Sequence, residues 1–311
     1  MQALWMVASA LFFSMMGVCV KFASAGFNSF ELVFWRGVIS IIFLALVART
    51  QGVSLTTRYP GAHAWRSLVG TASLGAWFYA IAHIPLATAM TLNYMSSVWI
   101  AVFLVAGALL AWVPRPRPVG GPGNVSRPPL QGALVFTVLI AFGGVLLMLR
   151  PSVGQDQGFA SMIGLMSGLV AAFAYMQVVV LSRLGEPEAR VVFYFAVGSA
   201  VFGLVGMGFT GMSPWNWAHA VWLLPIGVLA SLGQLAMTRA YGSARSPAGT
   251  LLVANLHYSG IVFAGLWSVL LFNDPIDMLG WLGMALIVGS GVAATILRQR
   301  AVPKAPPAEE R

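Results

Sequence analysis

Val69-Gly70-Thr71-Ala72-Ser73-Leu74-Gly75 and Ile226-Gly227-Val228-Leu229-Ala230-Ser231-Leu232-Gly233 are the stretches on which the fold turns. Each carries a glycine and then Ala-Ser-Leu-Gly, at an offset of about 158 residues. A second pair, Leu139-Ile140-Ala141-Phe142-Gly143-Gly144-Val145 and Leu286-Ile287-Val288-Gly289-Ser290-Gly291-Val292, is offset by 147. The shortfall is accounted for by a Pro/Gly-rich loop, 114–129, in the first half alone. The chain therefore reads as two related halves.

Composition says what solvent those halves meet. Charged residues make up 8% of the 311-residue chain and AVILMFWYC residues 59%, whereas a soluble domain carries about 25% charge. So few charges could not cover so much apolar surface in water, and disorder needs the opposite composition. Lipid is the expected surrounding. The lone Cys19 leaves no intramolecular disulfide and no Cys-based metal cluster. A membrane helix needs about 20 mostly apolar residues. Charge-free runs cut at Pro, Gly and polar punctuation give spans at 4–20, 32–48, 65–83, 87–112, 130–149, 158–182, 191–209, 219–238, 247–272 and 278–297. The third and fourth are divided at His83-Ile84-Pro85. Ala23-Ser24-Ala25 resembles a signal-peptidase site, but Met1-Gln2 supplies no basic residue ahead of the apolar run.

With ten spans, loops alternate sides. One side receives 14 of the 17 Lys and Arg, among them Arg49, Arg58 and Arg66 after the second span. Basic loops stay in the cytoplasm, so both termini are expected there. The charge of +9 is then a topology signal and not a nucleic-acid footprint. Five spans per half is odd, so the second half must insert upside down. Inverted repeats of this kind belong to secondary transporters, with the solute bound where the repeats meet.

The fold class expected is an all-α integral membrane protein of ten transmembrane helices in two inverted five-helix repeats. This arrangement, with Phe34-Trp35-Arg36-Gly37, Gln234-Leu235-Ala236-Met237-Thr238-Arg239-Ala240-Tyr241, Tyr258-Ser259-Gly260-Ile261-Val262-Phe263 and Leu271-Phe272-Asn273-Asp274-Pro275, resembles the EamA-type permeases of the drug/metabolite transporter superfamily over residues 3–297. The resemblance implies a first EamA-like repeat over 1–149, containing the cytoplasmic loop 114–129, a second over 150–297, and a disordered cytoplasmic tail over 298–311. The chain departs from the family at Trp112-Val113-Pro114-Arg115-Pro116-Arg117-Pro118, where an acidic residue often closes the fourth span.

Polar side chains inside spans are costly unless they face protein or water. Asn255, Tyr258 and Ser259 share one face of the ninth span, and Asn93, Ser96 and Ser97 repeat that spacing in the fourth. They could line one cavity or act as interhelical glue. Gln234, Tyr79, His83 and Tyr175 join them as cavity candidates, with Trp77 and Trp99 as aromatic walls or interface residues. Arg36 would snorkel, cap backbone carbonyls or bind an anionic group, Glu31 would sit solvated near the headgroups or share that anion or coupling role, and His257 could carry a coupling proton or hold a structural hydrogen bond.

No His or Cys set has metal-ligand spacing, and no Gly-rich phosphate loop with Lys is present. No cofactor, metal or nucleic acid is expected. The partners are a small-molecule solute and membrane lipid, with a homodimer as a further option. The function expected is secondary active transport of a small organic metabolite, an amino acid or related amphiphilic solute, across the cytoplasmic membrane by alternating access. The competing reading is a membrane enzyme acting on a lipid or lipid-linked substrate, which would need acid, base or nucleophile groups in mid-span.

Overall fold

The computed structural model describes residues 2–96, 98–100, 103, 136, 139–140, 143–144, 147, 155–243, 253, 256–273 and 276–301. The loop 114–129, most of the expected fifth span, the tail beyond 301, Ser97 and Asn255 lie outside the described residues. Among the described residues all regular structure is helical. The first half contributes α1 (Gln2–Ala23), α2 (Ser29–Thr50), α3 (Pro60–His83) and α4 (Leu86–Tyr94). The second contributes α5 (Gln155–Arg183), α6 (Glu188–Thr210), the four-residue α7 (Trp217–Ala220), α8 (Leu223–Gly242), α9 (Ser259–Phe272) and α10 (Met278–Ala301). Five of these stretches are long and apolar enough to cross a membrane: α1, α2, Gln157–Arg183 of α5, α6, and the run Trp217–Gly242.

Local chemistry sets the boundaries. Asn28 caps α2, its Oδ1 accepting from the amides of Phe30 at 3.0 Å and Glu31 at 3.1 Å, while Glu31 Oε2 accepts from the Asn28 amide at 2.7 Å. This reciprocal capping box satisfies amides that a helix start leaves orphaned. Pro60 opens α3, where its missing N–H costs nothing. The helix thus starts ahead of the expected 65, takes His63 inside it and sets Arg66 nearly two turns in. Ile84 is extended (φ −127°, ψ 166°) before Pro85, which separates α3 from α4. The expected eighth span is α7, a turn and α8.

The helices of the two halves interleave. α2 packs along α6, α3 along α5 and α1 along α8, while α2 also touches α8 and α3 touches α6. Further contacts join α1 to α9, α4 to α5 and α4 to α9. The tightest of these is α2 on α6: a Cβ on Gly37 would stand 2.9 Å from the Ala196 carbonyl oxygen, and one on Gly203 2.7 Å from that of Phe30. Only glycine permits that approach. Serines tie neighbours through backbone carbonyls, with Ser9 Oγ donating to Gly233 O at 2.8 Å and Ser67 Oγ to Tyr194 O at 3.0 Å. One core, from Met6 in α1 to Ile287 in α10, runs through both halves.

Candidate functional site

A cavity of about 40 Å³ lies at the centre, lined from α1, α2, α3, α4, α5, α6 and α8. Two arginines dominate it. Arg36 is seven residues into α2 and Arg66 six into α3, so each backbone is about 10 Å from the start of its helix. These helices start at opposite ends of the bundle, and the two side chains converge from opposite sides. Both residues are only 2% exposed. The Arg36 guanidinium carbon is 5.0 Å and that of Arg66 4.2 Å from the centroid of the Phe195 ring on α6. Gly70, one turn beyond Arg66, leaves the room that the guanidinium occupies, since a Cβ there would collide with Arg66 Nη1.

Their partners are few. Arg36 Nη1 donates to Ser199 Oγ at 3.1 Å. Arg36 Nε, Arg66 Nε and Arg66 Nη1 have no hydrogen-bond partner among the described residues. Neither arginine meets a described carboxylate within ion-pair distance. Phe195 presents a ring face to both cations, an attraction worth up to about 2 kcal/mol when desolvated.

Of the residues anticipated from sequence, Arg36, Asn93, Gln234, Tyr175 and Trp77 all line this cavity. Asn93 Nδ2 donates to Ser167 Oγ at 3.0 Å, so this residue is both lining and glue. The Trp77 indole N–H is buried without an acceptor among the described residues. His257 and Tyr258 are buried behind the cavity. The His257 ring is 4.2 Å from that of Tyr94 and 5.7 Å from that of Tyr175.

Other candidates are elsewhere. Tyr79 and His83 stack at 4.1 Å and line a separate cleft of about 1020 Å³ at the end of the bundle where α1 ends and α2 begins. Helix α3 is long enough to carry them out of the centre. Trp99 packs against the core rim, and Ser259 Oγ closes a local bond to Leu256 O at 2.7 Å. Glu31 is neither solvated nor at the cavity. It is 2% exposed, and beyond capping α2 it accepts from the Ser213 amide at 2.8 Å and from Ser213 Oγ at 2.6 Å. Its carboxylate is committed to joining α2 to the segment after α6. Ser97 and Asn255 lie outside the described residues.

Sequence reasoning counted Arg66 with the basic residues after the second span, at the very edge of the third, and passed over Phe195, Tyr94 and Ser199. Pro60 was the available signal for Arg66, because a helix opening there places position 66 nearly two turns inside. For Phe195 the signal was a third internal match. Val33-Phe34-Trp35-Arg36-Gly37-Val38-Ile39-Ser40 aligns with Val192-Phe193-Tyr194-Phe195-Ala196-Val197-Gly198-Ser199 at an offset of 159. Arg36 and Phe195 are equivalent positions of that match, as are Ser40 and Ser199.

Comparison with known proteins agrees with this architecture. The model of the EamA-like transporter family matches residues 1–107. The chain is 31% identical to the pseudopaline exporter of Pseudomonas aeruginosa, over 92% of this chain and 93% of that one. It is 24% identical to the riboflavin transporter of Rhizobium johnstonii, over 93% and 89% of the two chains. A solved crystal structure superposes with a TM-score of 0.66 at 18% identity, covering 97% of this chain and 99% of the other, which supports the fold. These relatives are named as transporters, not enzymes, and the apolar helices are those of a multi-pass membrane protein. The chain belongs to the EamA-like transporter family, as an EamA-type permease of the drug/metabolite transporter superfamily.

Proposed function

We propose that this permease is a secondary active transporter that moves a small organic metabolite, an amino acid or a related amphiphilic solute, by alternating access. Its place is the cytoplasmic membrane, with both termini cytoplasmic and ten spans in two inverted repeats. The pattern of helix contacts supports the repeat. Exchanging α1 with α5, α2 with α6, α3 with α8 and α4 with α9 maps the main contacts onto themselves. Thus α1 on α8 becomes α5 on α3, and α1 on α9 becomes α5 on α4.

The observation that carries the mechanism is the central cavity itself. It is buried, mixes polar side chains with an apolar wall, and is shared by helices of both halves, as expected of a transporter site. At about 40 Å³ it is far smaller than the roughly 300–1,000 Å³ of a small-molecule pocket. Wider clefts lie towards each end, about 1020 Å³ beside Phe27 and Trp215 and about 810 Å³ beside Trp5 and Arg239. This is a conformation closed over its site, and loading requires one end to part. The test is counterflow in sealed liposomes containing only the full-length protein. Vesicles preloaded with unlabelled amino acids or riboflavin should transiently accumulate the same labelled solute, saturably and without ATP. Non-saturable leak for every solute, or flux only with ATP and a partner, overturns the reading.

A further inference from the structure

We propose that the central cavity takes an anionic group of the transported solute, a carboxylate or comparable oxyanion, between the guanidinium groups of Arg36 and Arg66. This rests on the transporter reading above and deepens it by assigning the chemical class of the solute. An unpaired buried cation costs several kcal/mol, and two beside one ring add their mutual repulsion. Among the described residues the other carboxylates do not offset this. Glu31 is held by Asn28 and Ser213, and Glu186 by Thr57, His63 and Arg190. Glu188 opens α6 and Asp277 immediately precedes α10.

The unpartnered polar atoms around the cavity are chiefly donors. Arg36 Nε, Arg66 Nε and Nη1, Trp77 Nε1 and the Tyr94 hydroxyl are all buried without hydrogen-bond partners among the described residues, and all five belong to residues that line it. An ionised carboxylate or other oxyanion only accepts, and it accepts best from guanidinium groups. A cationic solute would add a third positive charge and is rejected on the same ground. The present volume suits such a head group. The body of the solute would extend along the rings of Trp77, Tyr175 and Phe13, which line the same space. The inverted repeat explains the asymmetry: at the equivalent positions one half supplies the Arg36 cation and the other the Phe195 ring that faces it.

The test uses the full-length protein in detergent and matched probes, glutarate against glutaramide and benzoate against benzamide, with benzylammonium as the cation. Ligands that prefer the native state raise its thermal midpoint with concentration. The carboxylates should raise it and the amides and benzylammonium should not. Arg36→Gln and Arg66→Gln should each weaken the carboxylate effect about tenfold or more. Unliganded Arg66→Met should unfold no earlier than wild type, because it removes a buried charge that has no carboxylate partner among the described residues. If Arg66→Gln does not fold, Arg66→Lys keeps the charge without the bidentate fork and should retain a weakened response.

Equal shifts by amide and carboxylate, no carboxylate shift in wild type, or an undiminished shift in both Gln variants overturns the proposal. Counterflow of a neutral solute that is intact in both variants also overturns it while leaving transport standing. Carboxylate shifts lost in the variants, with no counterflow of any solute, uphold the anion site and overturn the transport reading instead.

Discussion

Where α1 ends and α2 begins, Glu31 in the first turn of α2 holds Ser213, which lies beyond α6. At the opposite end Glu186, just before α6, holds Thr57, which lies beyond α2. In both cases an acidic residue at the head of one of two closely packed helices ties down the segment after the other. The chemistry differs. Glu31 meets neutral donors, the Asn28 and Ser213 amides and the Ser213 hydroxyl. Glu186 accepts from Thr57 Oγ1 at 2.9 Å and from Arg190 Nη1 at 3.0 Å, and faces His63 Nε2 at 3.2 Å. Arg190 goes on to the Ser54 carbonyl through Nε at 2.8 Å and Nη2 at 2.6 Å, and the Tyr194 hydroxyl donates to Leu55 O at 3.0 Å. The two ends of the packed pair α2 and α6 are thus held by a neutral clasp on one side and a charged one on the other. Under the alternating access proposed above, such clasps would weight the two ends separately.

The comparison can be broken from either side. The largest effect is expected from Arg190→Ala, which leaves the Glu186 carboxylate buried with no guanidinium partner. Breaking a buried pair costs about 3–5 kcal/mol. With the Arg190 side chain 16% exposed, about 2–3 kcal/mol is the reasonable loss. Thermal unfolding in detergent reads it. A cysteine placed at Ser67, on the Glu186 side, should become more reactive to maleimide, against the background of a single buried Cys19. Unchanged labelling would show that the clasp holds nothing shut.

Glu31→Gln should cost about 1–2 kcal/mol through the weakened capping box and the bonds to Ser213. It should raise labelling at Phe27→Cys and leave the Ser67 position unmoved. Equal responses at both positions would mean that the two clasps do not act independently.

Acid separates the clasps next. Burial pushes the Glu186 carboxyl up, but hydrogen bonds from Thr57, Arg190 and His63 and the Arg190 charge outweigh it and hold it below the usual carboxylate range. A depressed carboxyl stabilises the fold above its unfolded pKa, and the contribution is lost as pH falls through the folded value. The stability gap between wild type and Glu186→Gln should therefore be open at pH 7 and narrow below about pH 4.5. A gap that widens in acid would contradict the assignment. The smallest change is Asn28→Gly, a few tenths of a kcal/mol, since glycine is itself tolerated as a cap. A loss of 2 kcal/mol there would mean that the 3.3 Å bond from Asn28 Nδ2 to Gly211 O carries more than the cap.

Much of the helix order is legible in the sequence alone. Apolar runs placed α1, α2, α5 and α6 to within a few residues, and Ile84-Pro85 marked the break before α4. Misreadings fell where a charge stood beside an apolar run. Arg66 counted as a loop cation and Glu31 as a headgroup residue, because a charge is assumed to seek water unless something inside the protein receives it. What receives them, Phe195 and Ser213 respectively, is more than 120 residues away in each case. Tyr79 and His83 line a cleft at the end of α3 and not the centre, because a polar residue on a long helix can face either.

Taken alone, the sequence was enough to say that the chain lives in lipid and that it is a series of helices broken at particular prolines and glycines. These follow from composition and short-range stereochemistry, which need no knowledge of neighbours. Only the tertiary structure decided which buried polar groups converge. Helices that are apolar on every side carry no record of which face turns inward. That choice is made where Gly37 and Gly203 let α2 and α6 touch, and it brings Arg36 and Arg66 to the same ring.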